Sequence, residues 1–343
     1  MGRIAINCKF ITPAFIYGAN NELELRAPSI KGLMRFWWRA VNEFSSIEEM
    51  RNRESEIFGG KLIVNGKEKF VKAKVQILTK LIKNTDLESN RSSSYKYKHY
   101  DGIKYLFYSV KGKKIFHEGI QFQVIFKFKD EDKQYVKEYL KGFNALQLFM
   151  GIGGRSRRGG GNFIVEEIAD IFGISEEEIL TNLYVEKNSN DIVDAYKKLF
   201  KYNNSTCELS YSNIINESAK VYLLTFNNKS LRPNNFNFED NFNKVAKKYK
   251  DYRRKNTFNK CNNRGASPLI IKIVKHGEEC KILLVKLSGE RIKYYGKEDK
   301  SKKNRRDNEN NKQNEEDKIV DEFFKEFLQK NNRNEIDIIN LWG

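Results

Sequence analysis

The chain has 343 residues, of which 63 are Lys or Arg and 45 are Asp or Glu, so its formal net charge is +18. Hydrophobic residues make up 39% of the sequence, which is enough for a packed core and excludes disorder of the whole chain. No apolar run approaches the roughly 20 residues that a membrane helix needs, which excludes a membrane-spanning channel or transporter. A basic chain of this length predicts two domains that bind a polyanion.

The first half of the chain is predicted to contain both strands and helices. Residues 3–11 alternate between apolar and polar side chains, which predicts a strand. Ser29 is a favourable N-cap residue and predicts a helix that begins beside it. Further along, the patterns predict strands over residues 72–81, 103–110, 121–129 and 162–168 and a helix over residues 132–150.

The second half has a regular order of elements after two short connecting helices near residues 176–178 and 191–200. The predicted elements are a strand over 220–226, a helix over 238–255, strands over 267–274 and 280–287, a helix over 319–330 and a strand over 336–341. This βαββαβ order is typical of a ferredoxin-like domain.

We therefore predict an α+β protein of two domains, the second of which is ferredoxin-like. The first domain is expected over residues 1–170, and a helical connector with the second domain over residues 171–343. Residues 297–318 contain no apolar side chain, so we expect a disordered insertion there.

Residues 151–161, here called the glycine loop, are the sharpest local signal, with six glycines and three arginines. Glycine lets the backbone approach a phosphate closely, and arginine offers planar, bidentate donors to phosphate oxygens. The loop joins a predicted helix to a predicted strand, unlike a nucleotide-binding P-loop. We expect phosphate binding here, with a solvated connection as the alternative. The candidate residues are Gly153, Gly154, Arg155, Arg157, Arg158 and Gly159.

The helix near Ser29 carries a second candidate site. Lys31, Arg35 and Arg39 recur every four residues, and a helical wheel places Trp38 on the same face, opposite the apolar one. Cations interleaved with an aromatic ring suit single-stranded nucleic acid, which needs phosphate neutralisation and base stacking. A solvated helix face, with Trp38 in the core, is the alternative.

Three more arginines, Arg253, Arg254 and Arg264, are weaker candidates. The first two end a predicted helix, where the helix dipole also favours cations.

Signals for catalysis and metal binding are few. The segment with Tyr95, Lys98 and His99 could cleave RNA without a metal, because imidazole can move a proton while Lys steadies the phosphorane. The cysteines are Cys8, Cys207, Cys261 and Cys280, and they are too scattered for a zinc site. We therefore expect a cytoplasmic protein with no metal, no cofactor and no catalytic residues.

Residues 12–15, 25–40, 56–59 and 151–161 together resemble the RAMP superfamily of CRISPR effectors. Within it, the helix sequence Ser-Ile-Lys-Gly-Leu-Met-Arg-Phe-Trp-Trp-Arg resembles the first RAMP subunit of the type III-B Cmr complex, at the end that handles the crRNA 3′ region. Residues 264–269 continue the resemblance into the second domain.

The resemblance implies an α+β fold with two ferredoxin-like (RRM-like, βαββαβ) domains in tandem, packed together. It also implies crRNA and target RNA as ligands, other RAMP subunits as partners, and no ribonuclease activity. The family's contacts carry over to the cationic helix residues, Trp38 and the loop arginines. The alternatives are a guide-processing RAMP endoribonuclease that uses His99, and an architectural subunit that does not bind RNA itself.

Overall fold

The computed structural model describes residues 1–64, 66–82, 99–110, 113–188, 191–200, 211–216, 218–226, 238–255, 269–276, 279–289, 320–327 and 336–341. The strands are β1 (Gly2–Phe10), β2 (Gly60–Val64), β3 (Lys67–Val71), β4 (Val75–Leu81), β5 (Gln121–Phe128), β6 (Phe163–Phe172), β7 (Lys220–Phe226), β8 (Leu269–His276), β9 (Glu279–Lys286) and β10 (Ile336–Asn340). The helices are α1 (Ala27–Ala40), α2 (Ile47–Phe58), α3 (Asp101–Leu106), α4 (Val136–Phe149), α5 (Glu176–Asn182), α6 (Ile192–Phe200), α7 (Phe238–Lys255) and α8 (residues 320–327).

Both predicted ferredoxin-like sheets are present. The first has the strand order β4-β5-β1-β6, and the second has the order β10-β7-β9-β8, each with antiparallel neighbours. In each sheet the first and third strands of the βαββαβ unit lie in the centre, which confirms the predicted fold class. Strand β8 is an edge strand of the second sheet.

The core explains how the two sheets are joined. Apolar side chains of β1 and of α1 share one hydrophobic cluster with Ile270 and Val274 of β8. The alternate residues of β8, Ile271 and Ile273, belong instead to the cluster that contains α7 and α8. Because neighbouring residues of a strand face opposite sides of the sheet, the second sheet is covered on both faces. The layers are therefore sheet, helices, sheet and helices.

The prediction of a strand over residues 103–110 is wrong. The segment forms α3 and a short 3₁₀ turn, and its buried residues Ile103, Leu106, Phe107 and Val110 follow helical spacing. The side-chain Oδ1 of Asn243 in α7 accepts a hydrogen bond of 2.8 Å from the Gly102 amide and so caps α3. Tertiary packing on α7 fixes this helix.

The start of α1 also differs from the prediction. The helix begins at Ala27, so Ser29 lies inside the first turn and is not the N-cap. Proline is favoured at position 28 because the backbone N–H that it lacks would have no hydrogen-bond partner in the first turn of a helix. The sequence patterns did not predict α2 or the β2–β3 hairpin, which lie between α1 and β4.

The connecting helices pack on the first ferredoxin-like unit. The Tyr184 amide donates to Asn144 Oδ1 at 2.9 Å, and the Tyr196 hydroxyl donates to the Leu148 carbonyl at 2.6 Å. The domain division at residues 170 and 171 stays a prediction, and the insertion predicted over residues 297–318 lies outside the described residues.

Two helical glycines give opposite predictions for stability. A Cβ at Gly142 of α4 lies 2.9 Å from the Met34 carbonyl oxygen of α1, whereas a Cβ at Gly32 meets nothing within 4 Å. We expect Gly142→Ala to lower the free energy of unfolding by about 1 to 3 kcal/mol through overpacking. Gly32→Ala is the matched control and is expected to raise it by about 1 kcal/mol through helix propensity. Denaturant titration measures both changes, and destabilisation by both variants contradicts this account.

Candidate nucleic-acid interface

Helix α1 carries two of the predicted cations beside a buried carboxylate. Its residues Ile30, Met34 and Trp37 lie in the core, which leaves Arg35 and Arg39 on the flank towards α2. The Arg35 Nε lies 2.7 Å from Glu54 Oε1, and Arg39 donates to the same oxygen. The Glu54 side chain is only 8% exposed, so one buried charge holds two guanidinium groups and leaves a net positive charge.

Lys31 lies one turn before Arg35 and is half-buried. Desolvation lowers the pKa of its ammonium group, and the nearby positive charge of Arg35 lowers it further. An anion placed beside these two residues relieves their repulsion.

The prediction that Trp38 lies on the exposed cationic face is wrong. Trp38 is fully buried, and its indole Nε1 donates to Glu138 Oε2 of α4 at 2.7 Å. Its ring packs against the rings of Phe44 and Phe58. Because α1 is covered on two sides, the alternative of core packing holds for Trp38, and a nucleobase has no access to it.

The backbone of the glycine loop folds against itself and against residues 13–15. Gly161 has φ +61°, and a Cβ there lies 1.9 Å from the Ile152 carbonyl oxygen. Gly153 has φ +91°, and a Cβ there lies 2.6 Å from the Phe15 carbonyl oxygen. The Gly154 amide donates to the same Phe15 oxygen at 2.8 Å. These contacts show that glycine is needed for close protein packing, whatever ligand the loop binds.

The glycine loop also pairs with the edge of β8. The Ile271 amide donates to the Arg157 carbonyl at 3.1 Å, and the Ile273 amide donates to Asn162 Oδ1 at 2.7 Å. Arg158 Nη1 donates to the Leu269 carbonyl at 3.1 Å. These bonds satisfy backbone groups that an edge strand otherwise leaves unpaired.

Arg158 and Gly159 are therefore structural residues. Arg158 is only 7% exposed, and its guanidinium lies 4.6 Å from the centre of the Tyr249 ring of α7. Gly159 is buried, and a Cβ there lies 2.8 Å from the Phe242 ring. Burial against α7 contradicts the prediction that these two residues contact RNA.

Arg155 and Arg157 reach the surface on either side of this junction. The Arg155 Nε donates to Ser109 Oγ at 2.6 Å, and its guanidinium lies 4.5 Å from the centre of the Tyr108 ring. The Arg157 guanidinium lies 5.4 Å from the centre of the Phe36 ring of α1. Arg157 thus joins the glycine loop to α1, while Arg155 lies on the side of the 3₁₀ turn that follows α3. We call Lys31, Arg35, Arg39, Arg155 and Arg157 the basic surface.

Comparison with known proteins agrees with this architecture. Residues 7–164, which include β1, α1 and the glycine loop, match the sequence model of the RAMP superfamily. We call residues 7–164, which are similar to this model, the RAMP domain.

Solved structures extend the likeness to the rest of the chain. The apo crystal structure of Cmr1 from Pyrococcus furiosus matches with a TM-score of 0.61 and 18% identity, covering 100% of this chain and 99% of that chain. A chain of the type III-B Cmr-beta complex with cognate target RNA and AMPPnP matches with a TM-score of 0.50 and 13% identity, covering 94% and 98% of the two chains. The fold beyond the RAMP domain is thus also found in Cmr1. No curated protein sequence matches the chain.

Sequence reasoning missed two aromatic residues beside the glycine loop. Tyr108 lies under Arg155, and the Lys113 ammonium lies 5.3 Å from the centre of the Tyr17 ring. Tyr108 was missed because the sequence patterns wrongly predict a strand over residues 103–110. Helical spacing of the apolar residues in that segment was the signal that could have found it, because it leaves Tyr108 off the buried face.

The remaining candidate residues are not part of the basic surface as defined above. Arg253 and Arg254 lie in the last turn of α7. Arg264, Tyr95 and Lys98 lie outside the described residues. His99 is exposed in the turn before α3.

The part of the chain that the structure describes contains no group of three or more His, Cys, Asp or Glu residues that could hold a metal ion. It also contains no helix with the length and apolar character needed to cross a bilayer.

Lys272 of β8 is buried where the RAMP domain meets the second sheet. Its Nζ donates to the Met150 carbonyl at 3.1 Å, just before the glycine loop. Desolvation lowers the pKa of this lysine to about 7. The folded protein therefore binds fewer protons at this site than the unfolded chain between about pH 7 and the usual lysine pKa of 10.5.

Lys272→Met tests this burial through the pH dependence of stability. The unfolding free energy that Lys272 contributes rises with pH in that window, because the unfolded state holds the extra proton. Since each pKa unit is worth about 1.4 kcal/mol, we expect the variant to gain a few kcal/mol over the wild type near pH 6 and to lose this advantage near pH 10. The variant also loses the hydrogen bond to Met150, and this loss lowers its free energy of unfolding by the same amount at every pH. A stability difference that does not change with pH, measured by urea unfolding, contradicts the lowered pKa.

Proposed function

We propose that the chain is a non-catalytic RNA-binding subunit of a CRISPR type III-B (Cmr) ribonucleoprotein. It binds crRNA and target RNA near the crRNA 3′ end, works in the cytoplasm and needs no cofactor. The RAMP domain over residues 7–164 and the Cmr1 fold over the whole chain support this assignment. The related Cmr-beta complex is described as bound to cognate target RNA, and we propose the same class of ligand here.

The observation that carries the RNA-binding proposal is that the side chains of Arg155 and Arg157 are held in place at the surface. Both guanidinium groups lie over aromatic rings, and the loop that holds them is hydrogen-bonded to β8. A cation that is already oriented loses little side-chain entropy when it binds a phosphate. Planar guanidinium groups also match phosphate oxygens in a bidentate manner.

Helix α1 extends the same surface. Arg157 contacts Phe36, and Lys31 and Arg35 lie on neighbouring turns. We propose that this surface follows the phosphate backbone and reads the shape of the RNA, because cationic side chains bind phosphates whatever the base sequence. Gly153 and Gly154, at the rim of the loop, remain candidate contacts, and Arg253, Arg254 and Arg264 remain weaker ones.

We propose further RAMP subunits as the protein partners, because a Cmr complex is an assembly of several chains. An architectural role without RNA binding stays the competing hypothesis, and it predicts stoichiometric assembly with a partner but no RNA binding by the isolated chain.

Arg155→Ala/Arg157→Ala tests the RNA-binding role of the glycine loop. Each phosphate contact to single-stranded nucleic acid contributes about 0.7 to the slope of log affinity against log salt. We expect the double variant to bind a fluorescent single-stranded RNA more weakly and with a slope about 1.4 units shallower than the wild type. Fluorescence anisotropy between about 50 and 200 mM salt measures both quantities.

The control is Lys129→Ala/Lys137→Ala, which removes the same charge. Lys137 lies in the first turn of α4, roughly 20 Å from the glycine loop along the helix axis, and both side chains are exposed. An equal effect of the two double variants contradicts a local site. RNA cleavage in EDTA that is lost in His99→Ala favours the endoribonuclease alternative instead.

A further inference from the structure

We infer that the Tyr108 ring and the Arg155 guanidinium form a platform on which an unpaired base of single-stranded RNA stacks. The inference rests on the proposed RNA-binding function and names the binding mode at one edge of that surface. Tyr108 belongs to the segment that joins β4 to β5. The sequence motifs singled out Tyr95, Lys98 and His99 of this segment but not Tyr108.

The exposure of Tyr108 is the first observation. Tyr108 is 56% exposed, although the neighbouring Phe107 and Val110 are buried in the cluster around α7. The Tyr105 ring lies beside it, with the two ring centres 6.4 Å apart. The 3₁₀ turn that follows α3 therefore directs this aromatic ring outwards from an anchored backbone. A rigidly placed and solvated ring favours stacking, because little order is lost when a base covers it.

The conformation of Arg155 is the second observation. Arg155 has φ +60° and thus adopts the left-handed region that the loop otherwise assigns to glycines such as Gly153 and Gly159. A non-glycine residue there costs about 1 kcal/mol or more. The bond to Ser109 Oγ and the contact with the Tyr108 ring offset this cost and fix the guanidinium over the ring. A glycine at this position avoids the strain but provides no cation.

The surroundings favour nucleic acid as the occupant. Lys104, Lys113 and Lys114 are exposed in the same chain segment, and Lys113 lies over the ring of Tyr17. Phe15, two residues before Tyr17, forms a bridge with Gly154, so this second pair of a cation and an aromatic ring lies on chain that runs beside the glycine loop. The acidic groups nearby are already paired, with Glu22 on Lys114 at 2.8 Å and Asp101 on Lys250 at 3.4 Å.

An exposed aromatic ring with a cation over it favours single-stranded RNA over a duplex. Bases in a duplex are stacked on one another and do not offer a face to a tyrosine, whereas an unpaired base does. Stacking on an aromatic ring tolerates any base, which suits a subunit that must accept many guide sequences.

Tyr108→Ala and Tyr108→Phe separate stacking from other roles of this residue. We expect Tyr108→Ala to weaken binding of a labelled single-stranded RNA by about 5- to 150-fold, the range that corresponds to one stacked base. Tyr108→Phe retains the ring and is expected to bind within about twofold of the wild type. Phe172→Ala removes another aromatic ring, 65% exposed at the end of β6, and is the matched control with unchanged affinity.

Inorganic polyphosphate is the second probe, because it carries phosphate charge without bases. We expect Tyr108→Ala to weaken polyphosphate binding far less than RNA binding, because it only loosens Arg155 and removes no phosphate contact. The variant is expected to retain the wild-type salt slope for RNA, since no charge is removed. Far-UV circular dichroism and melting curves confirm that the variants fold.

The possible outcomes distinguish this inference from the proposed function. Wild-type RNA affinity in Tyr108→Ala, together with a wild-type salt slope, overturns the platform and leaves the proposed function intact. Equal weakening for RNA and polyphosphate also overturns the platform, because a base is then not involved. Absence of RNA binding by the wild-type chain overturns the proposed function and the platform with it.

Discussion

The pairing of the glycine loop with the edge of β8 is the constraint on which the arrangement of the two sheets depends. Two β8 amides and one β8 carbonyl find partners in the residues 157–162. Each such bond contributes about 0.5 to 1.5 kcal/mol, but leaving these buried groups unpaired costs more. The close approach of the two backbones is possible because glycines with positive φ leave room for it. The loop is thus a structural junction as well as a candidate binding site.

This junction divides the cations between folding and binding. Arg158 is used inside the protein, while Arg155 and Arg157 leave the same loop towards solvent. On α1, Glu54 holds Arg35 and Arg39 together and lowers the local repulsion without cancelling the positive charge. A basic surface built in this way is ordered in the free protein, so that the proposed binding of RNA loses less conformational entropy.

The βαββαβ order of the second domain could be predicted from the sequence because strand alternation and helical periodicity are local properties. In the first domain the same reasoning predicts a strand over residues 103–110, where packing on α7 forms α3 instead. The role of each arginine could not be predicted in this way. Arg155 and Arg158 lie in the same glycine-rich loop, and nothing in their local sequence tells which of them is buried. Arg158 is buried because β8, more than a hundred residues later in the chain, packs against it. Trp38 was placed on the wrong face because a helical wheel assumes a single buried side, whereas α1 packs against both the sheet and α4.

Amide hydrogen exchange at β8 in the full-length protein tests the junction most directly. The Ile271 and Ile273 amides point towards the glycine loop, whereas the intervening Lys272 amide points towards β9, because successive strand amides alternate in direction. We predict that Ile271 and Ile273 exchange as slowly as Lys272, since both edges of β8 are hydrogen-bonded. Fast exchange of Ile271 and Ile273 beside a protected Lys272 contradicts the account, because the loop then does not hold this edge.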